Sequence, residues 1–276
     1  MRYESPYDPA SMPRDLKFVR YEKKGHVAYL ILNRPEVRNA LHSFAYAEMR
    51  SCWRDMGNDP NVYVGIVTAT GPAFCAGRDV KFLREYQAQG KRTPHEDPNH
   101  PLFHWGGGGQ PQDVSLEKPL IAAINGFAVG VGLNIILQCQ LRVMAEEAWL
   151  GDQHTNVGRL GAPHELFAAL PRTVAAYMTL CNGRLTAQDC LQHSIVNRVV
   201  PRERLMQAAE ELAEKVCLGS PLAVQAAVRL YRLTAAFPAS LSAYARQLDQ
   251  EIAETEDGAE GSRAFTEKRK PVWKLR

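Results

Sequence analysis

The chain has 276 residues, 45% of them hydrophobic and 23% charged, and carries a formal net charge of +3 at pH 7. That length suits one large core, or a core with an appendage, and the composition is that of a globular chain rather than a disordered one. The small, scattered charge excess argues against a nucleic-acid partner, and no run approaches the roughly 20 apolar residues that a membrane helix needs.

The first residues, MRYESPYDPASMPRD, are polar and proline-rich with no apolar signal core, so residues 1–16 are expected to be an extension and the protein cytoplasmic. Six cysteines (Cys52, Cys75, Cys139, Cys181, Cys190, Cys217) stand singly, with no CxxC pair and no histidine at ligand spacing. Reduced thiols and no metal site are expected.

Residues 27–33 (VAYLILN) and 62–68 (VYVGIVT) are β-branched apolar runs closed by turn signals, and both predict buried strands. Between them, 40–56 has helical spacing. Further strands are predicted at 119–124, 141–145 and 195–200, with an apolar helix starting near Gly132. Alternation of strands and helices implies crossover connections and a largely parallel sheet covered by helices. From residue 165 helices dominate: 165–170, 174–182, 187–192, 202–218, 221–236 and 240–254. The segment 88–113, with His95, His100, His104 and four consecutive glycines, has no period. A lid or specificity loop is the expectation there.

Two stretches point to chemistry. In GFAVGVGLNIILQC (126–139) Gly130 and Gly132 flank Val131 just before an apolar helix, which exposes backbone N–H groups at a helix N-terminus or simply lets the helix pack closely. In GPAFCAGRDVKFL (71–83) a tight turn precedes Asp79, a predicted N-cap, and leaves the N–H of Arg78 free to donate. Two such turns are what an oxyanion hole requires.

Six motifs occur in order: LNRPEVRNAL (32–41), GPAFCAGRDV (71–80), KPLIAAINGFAVGVGLNIILQC (118–139), LPR (170–172), SIVNRVVP (194–201) and AFTEKRKPVW (264–273). With them the chain resembles the enoyl-CoA hydratase/isomerase, or crotonase, superfamily from about residue 17 to 273. The resemblance implies an α/β fold with a β-β-α spiral core over 17–200 and a helical trimerisation region over 201–276. It also implies a homotrimer or dimer of trimers, and an acyl-CoA substrate with coenzyme A as its only cofactor-like part. By resemblance, the N–H groups of Arg78 and Val131 form the oxyanion hole. Arg38, Ala40, Leu41, Ala76, Asp79, Phe265 and Lys268 contact CoA, and Lys268, Arg269 and Lys270 add cations for its phosphates.

The pattern departs from the family at its two catalytic glutamates, whose positions carry Asn134 and His154. Asparagine does not exchange protons near neutral pH, whereas histidine does. His154 is therefore the expected titrating catalyst, with Asp152 or Glu165 as orienting partner; His164, beside Glu165, is a less secure alternative. The resemblance implies an acyl-CoA lyase or isomerase that stabilises a thioester enolate, its reaction open among hydration, double-bond isomerisation, decarboxylation and hydrolysis. A single His fits a one-base isomerase or hydrolase better than two-carboxylate hydration. A His-dependent C–C (retro-Claisen) or thioester hydrolase, or a catalytically silent acyl-CoA binder, are the alternative expectations.

Overall fold

The computed structural model describes residues 16–90, 116–161, 163–234, 239–272 and 274. The predicted loop at 88–113 lies outside the described residues except for 88–90, and its three histidines lie outside them altogether. So does most of the N-terminal extension.

Strands β1 (Val19–Lys24), β2 (Val27–Leu32), β3 (Val64–Ala69), β5 (Leu120–Ile124), β7 (Leu141–Ala145) and β10 (Arg198–Val200) form one sheet in the order β1-β2-β3-β5-β7-β10. Only the β1–β2 pair is antiparallel. A second sheet, β4-β6-β8-β9, is built from strands of three residues: β4 (Ala73–Cys75), β6 (Phe127–Val129), β8 (Trp149–Gly151) and β9 (Arg184–Thr186). Three turns of chain, β3-β4-α2, β5-β6-α3 and β7-β8-α4, thus each give one strand to the large sheet, one to the small sheet, and then a helix. This is the β-β-α spiral of a crotonase-like α/β fold, and it corrects the single helix-covered sheet that the apolar runs suggest.

The helices are α1 (Ser43–Asn58), α2 (Val80–Ala88), α3 (Val131–Gln138), α4 (Pro163–Ala169), α5 (Arg172–Leu180), α6 (Ala187–Gln192), α7 (Leu205–Cys217), α8 (Pro221–Thr234), α9 (Ala239–Ala253) and α10 (Glu256–Glu267). On one face of the large sheet α1 buries Met49, Cys52, Trp53 and Met56, together with Leu30, Leu120 and Ile136. On the other, α7 packs Leu205, Ala209 and Ala213 on Tyr29, Ile66 and Val143. The central strands are covered on both sides, which is why they read as continuous apolar runs. Among the described residues no helix is long and apolar enough to cross a membrane.

Two buried charges fix elements that matter for the site. Glu48 on α1 accepts the N–H groups of Lys17, Phe18 and Val19 at 2.8–3.1 Å, anchoring the edge strand β1. Arg142, 8% exposed, donates to Ile136 O, Leu137 O and Ile195 O at 2.8–2.9 Å. It thereby closes the C-terminal end of α3, where a cation suits both the free carbonyls and the helix dipole. The opposite end of α3 faces the candidate site.

Candidate active site

Chain geometry first brings two glycine turns together. Leu41 donates its N–H to Gly77 O and accepts from Asp79 N–H, both at 2.8 Å, so it pairs with the residues on either side of Arg78. The alternation of a parallel pairing then turns the N–H of Arg78 away from this seam. Gly77 just before it has φ +89°, in the region that favours glycine. The second turn repeats the device: Gly130, φ +53°, precedes Val131, the first residue of α3, whose N–H has no acceptor within the helix. A Cβ built on Gly130 would lie 3.8 Å from Gly77 Cα, so the two turns abut.

Gly132 lets α3 come this close, because a Cβ there would meet Cys75 Cβ at 2.6 Å and Cys75 O at 2.9 Å. Cys75 itself is fully buried, and burial pushes its thiol up to about 12, so it stays protonated and serves as packing rather than as a nucleophile.

His154 reaches the same point from the other side. It follows β8 and opens a short 3-10 turn at Thr155–Val157. A Cβ on Gly130 would lie 3.6 Å from both Cε1 and Nε2 of His154, which places that edge of the imidazole beside the second glycine turn. At the other ring nitrogen, Nδ1 meets Oδ1 of Asp152 in a short hydrogen bond. Asp152 is 2% exposed, and its Oδ2 accepts from Thr179 Oγ1 of α5 at 3.2 Å. A buried carboxylate on Nδ1 favours the tautomer with its proton there, which leaves Nε2 with a lone pair. Of the two orienting partners open in the sequence, the structure puts Asp152 on the ring; Glu165 sits in the first turn of α4.

The residues expected to contact CoA fall into two groups. Arg38, Ala40, Leu41, Ala76 and Asp79 share one seam, stitched further by Ala76 N–H donating to Arg38 O at 2.9 Å. The Asp79 carboxylate is used internally: Oδ1 caps α2 at Phe82 N–H (3.0 Å), as its N-cap position predicts, and Oδ2 pairs with Arg34 at 2.9 Å. Arg34, which also donates to Ala40 O, is a tie across this seam that the sequence reading missed.

Phe265 and Lys268 lie at the end of α10, next to Thr266, which accepts from Arg84 of α2 at 2.8 Å. Arg269 is bound to Glu260 by Nη1–Oε1 at 2.6 Å, so of the three neighbouring cations it is the one committed to the fold. Asn134 lies on the first turn of α3, half-buried, with its N–H donating to Gly130 O at 3.1 Å.

Burial lowers the pKa of two other histidines. His42 accepts from Ala45 N–H at the start of α1, and burial, then the Arg34 charge, push it down to about 4. Burial, and then Arg246, also hold His164 below the usual histidine range.

The family model described as enoyl-CoA hydratase/isomerase matches residues 22–276. The chain belongs to the enoyl-CoA hydratase/isomerase family. It is 33% identical over 261 residues to the (E)-benzylidenesuccinyl-CoA hydratase of Thauera aromatica, covering 93% of this chain and 98% of that protein. To the carnitinyl-CoA dehydratase of Citrobacter koseri it is 32% identical over 274 residues, covering 96% and 100%. Among solved structures, a carnitinyl-CoA hydratase from Mycobacterium avium superposes with a TM-score of 0.82 at 31% identity over 95% of this chain and all of that one. Family relatives with hydratase and dehydratase names therefore span essentially the whole chain.

Proposed function

We propose that this family member adds water to, or removes it from, an acyl-CoA thioester through an enolate, with His154 as the single proton carrier. The observation that carries the reading is the approach of His154 Nε2 to the Gly130 turn, which itself abuts the Gly77 turn, while Asp152 holds Nδ1. In the hydration direction, Nε2 takes a proton from water as the hydroxide oxygen bonds to Cβ of the enoyl group. The electron pair of the double bond moves to the thioester oxygen, where the N–H groups of Arg78 and Val131 stabilise it. The imidazolium then returns its proton to Cα, so one water is consumed, no other acid is needed, and both new bonds form on the face that His154 occupies. Asn134, which is not an acid or base, orients the water or the carbonyl.

The seam from Arg38 to Asp79, with Phe265 and Lys268, carries the CoA portion, and no separate cofactor is required. A homotrimer or dimer of trimers fits the exposed Leu222, Leu230 and Leu233 of α8, which are 75%, 64% and 70% exposed.

The test is mass spectrometry of the purified protein with saturated, enoyl-, β-keto- and malonyl-type acyl-CoAs. Gain of one water by an enoyl-CoA with CoA retained is the expected result. Release of free CoA or a shortened acyl chain would move the reading to the His-dependent hydrolase, and silence across the panel with tight CoA binding to a non-catalytic binder.

A further inference from the structure

The segment after His154 is gripped by the C-terminal helices. Asp249, on α9, accepts from Leu160 N–H at 2.9 Å and Gly161 N–H at 3.4 Å with Oδ1, and both its oxygens meet the Arg159 guanidinium, at 3.2 and 2.5 Å. One carboxylate thus fixes three successive residues. Burial alone would raise its pKa, but the Arg159 bond and the two N–H groups outweigh that and hold the carboxyl below its ordinary range.

Those three residues lead back to the imidazole. Arg159 N–H donates to His154 O at 3.0 Å, and Val157 N–H does the same. Gly161 has φ +68°, and a Cβ there would lie 2.4 Å from His154 Nδ1 and 2.5 Å from Cγ, so its backbone lies against the ring. Behind the loop, α10 approaches backbone to backbone: a Cβ on Gly261 would be 2.5 Å from Gly158 N, and one on Gly158 would be 2.8 Å from Asp257 O. The imidazole is therefore bounded by Gly130 on the hole side and by Gly161 on the side that Asp249 controls.

We propose that Asp249 is a positioning residue for His154: by clamping residues 159–161 it holds Gly161 against the imidazole and keeps Nε2 aimed at the glycine turns. The proposal rests on the reading of His154 as proton carrier, and it makes the α9–α10 hairpin part of the catalytic apparatus although it lends no group to the reacting atoms. A displacement of about 1 Å in such a group costs on the order of 10²-fold in rate.

The experiment compares Asp249→Ala and Asp249→Asn in the full chain, by kcat and KM on the panel thioester turned over fastest and by the ring resonances of 15N-histidine-labelled protein. His154→Asn identifies the His154 signals. Asp249→Ala is expected to lower kcat by about 10²-fold with KM within about twofold, and to shift or broaden the His154 resonances. Asp249→Asn, whose amide oxygen still accepts from Leu160 N–H, is expected to recover most of the rate with a smaller shift. In a His154→Ala background, Asp249→Ala should cost nothing further.

His154 resonances that superimpose on wild type, or losses that add fully in the double variant, would overturn the proposal and leave Asp249 a purely structural tie. If Asp249→Ala does not fold, Asp249→Asn decides by the same resonances. Full turnover by His154→Ala would instead refute the assigned chemistry, and the resonance comparison, which needs no substrate, would still decide what holds the ring.

Discussion

Asp152→Asn is expected to lower kcat by about 10²- to 10⁴-fold, the range that general acid–base catalysis supplies. The substitution preserves shape, so the loss isolates the proton arrangement. In the native site Thr179 donates to Oδ2 and His154 donates from Nδ1 to Oδ1. An amide that keeps the Thr179 bond turns its NH₂ toward Nδ1, which must then accept. The ring proton moves to Nε2, and the nitrogen facing the glycine turns becomes a donor that takes no proton from water. Circular dichroism and the melting temperature would confirm that the fold is retained. A variant with wild-type kcat would show that the Asp152 bond does not set the working tautomer.

The second large effect is expected from Gly132→Ala. The new methyl would be 2.6 Å from Cys75 Cβ and 2.9 Å from Cys75 O, and the carbonyl cannot yield without moving β4. The start of α3 must therefore back away from the Gly77 turn and separate the N–H groups of Arg78 and Val131. Loss of one donor from an oxyanion hole costs about 10²- to 10³-fold in kcat, and overpacking of this kind costs about 1–3 kcal/mol of stability. Gly25→Ala is the control. Gly25 has φ +56° in the β1–β2 turn but nothing within 4 Å of a built Cβ, so the penalty is only the roughly 1–2 kcal/mol of a left-handed L-residue, with kcat unchanged. Equal kcat values for Gly132→Ala and Gly25→Ala would separate the close packing of α3 from the chemistry.

The sequence was most legible where physics repeats along it. β3 and β5, buried on both faces, announce themselves as apolar runs, and the glycines before Arg78 and Val131 mark turns that need positive φ. The small sheet was not legible, since strands of three residues are too short to display a period of two. Nor was β1, whose VRYEKK exposes four charges on an edge where solvent tolerates them. Helix α10 was hidden by Gly258 and Gly261, which weaken helix propensity but allow its backbone to approach Gly158.

At the site, His154 stood out by its register against the resemblance, and Asp152 by lying two residues before it. Thr179 and Asp249 did not, because they reach the His154 segment from 27 residues beyond Asp152 and 90 beyond Arg159. No local spacing rule connects them; only the spiral's return past β8 and the docking of α9 do.

The proposed role of His154 is to move the proton at Cα of a thioester whose oxygen rests on the Arg78 and Val131 N–H groups. It is tested most directly by the rate at which a saturated acyl-CoA, which cannot be hydrated, gains deuterium at Cα in deuterated water. Exchange by the wild-type protein is expected, with a rate lower by about 10²-fold or more with His154→Ala. Equal exchange by both proteins would contradict it and assign the proton to another group.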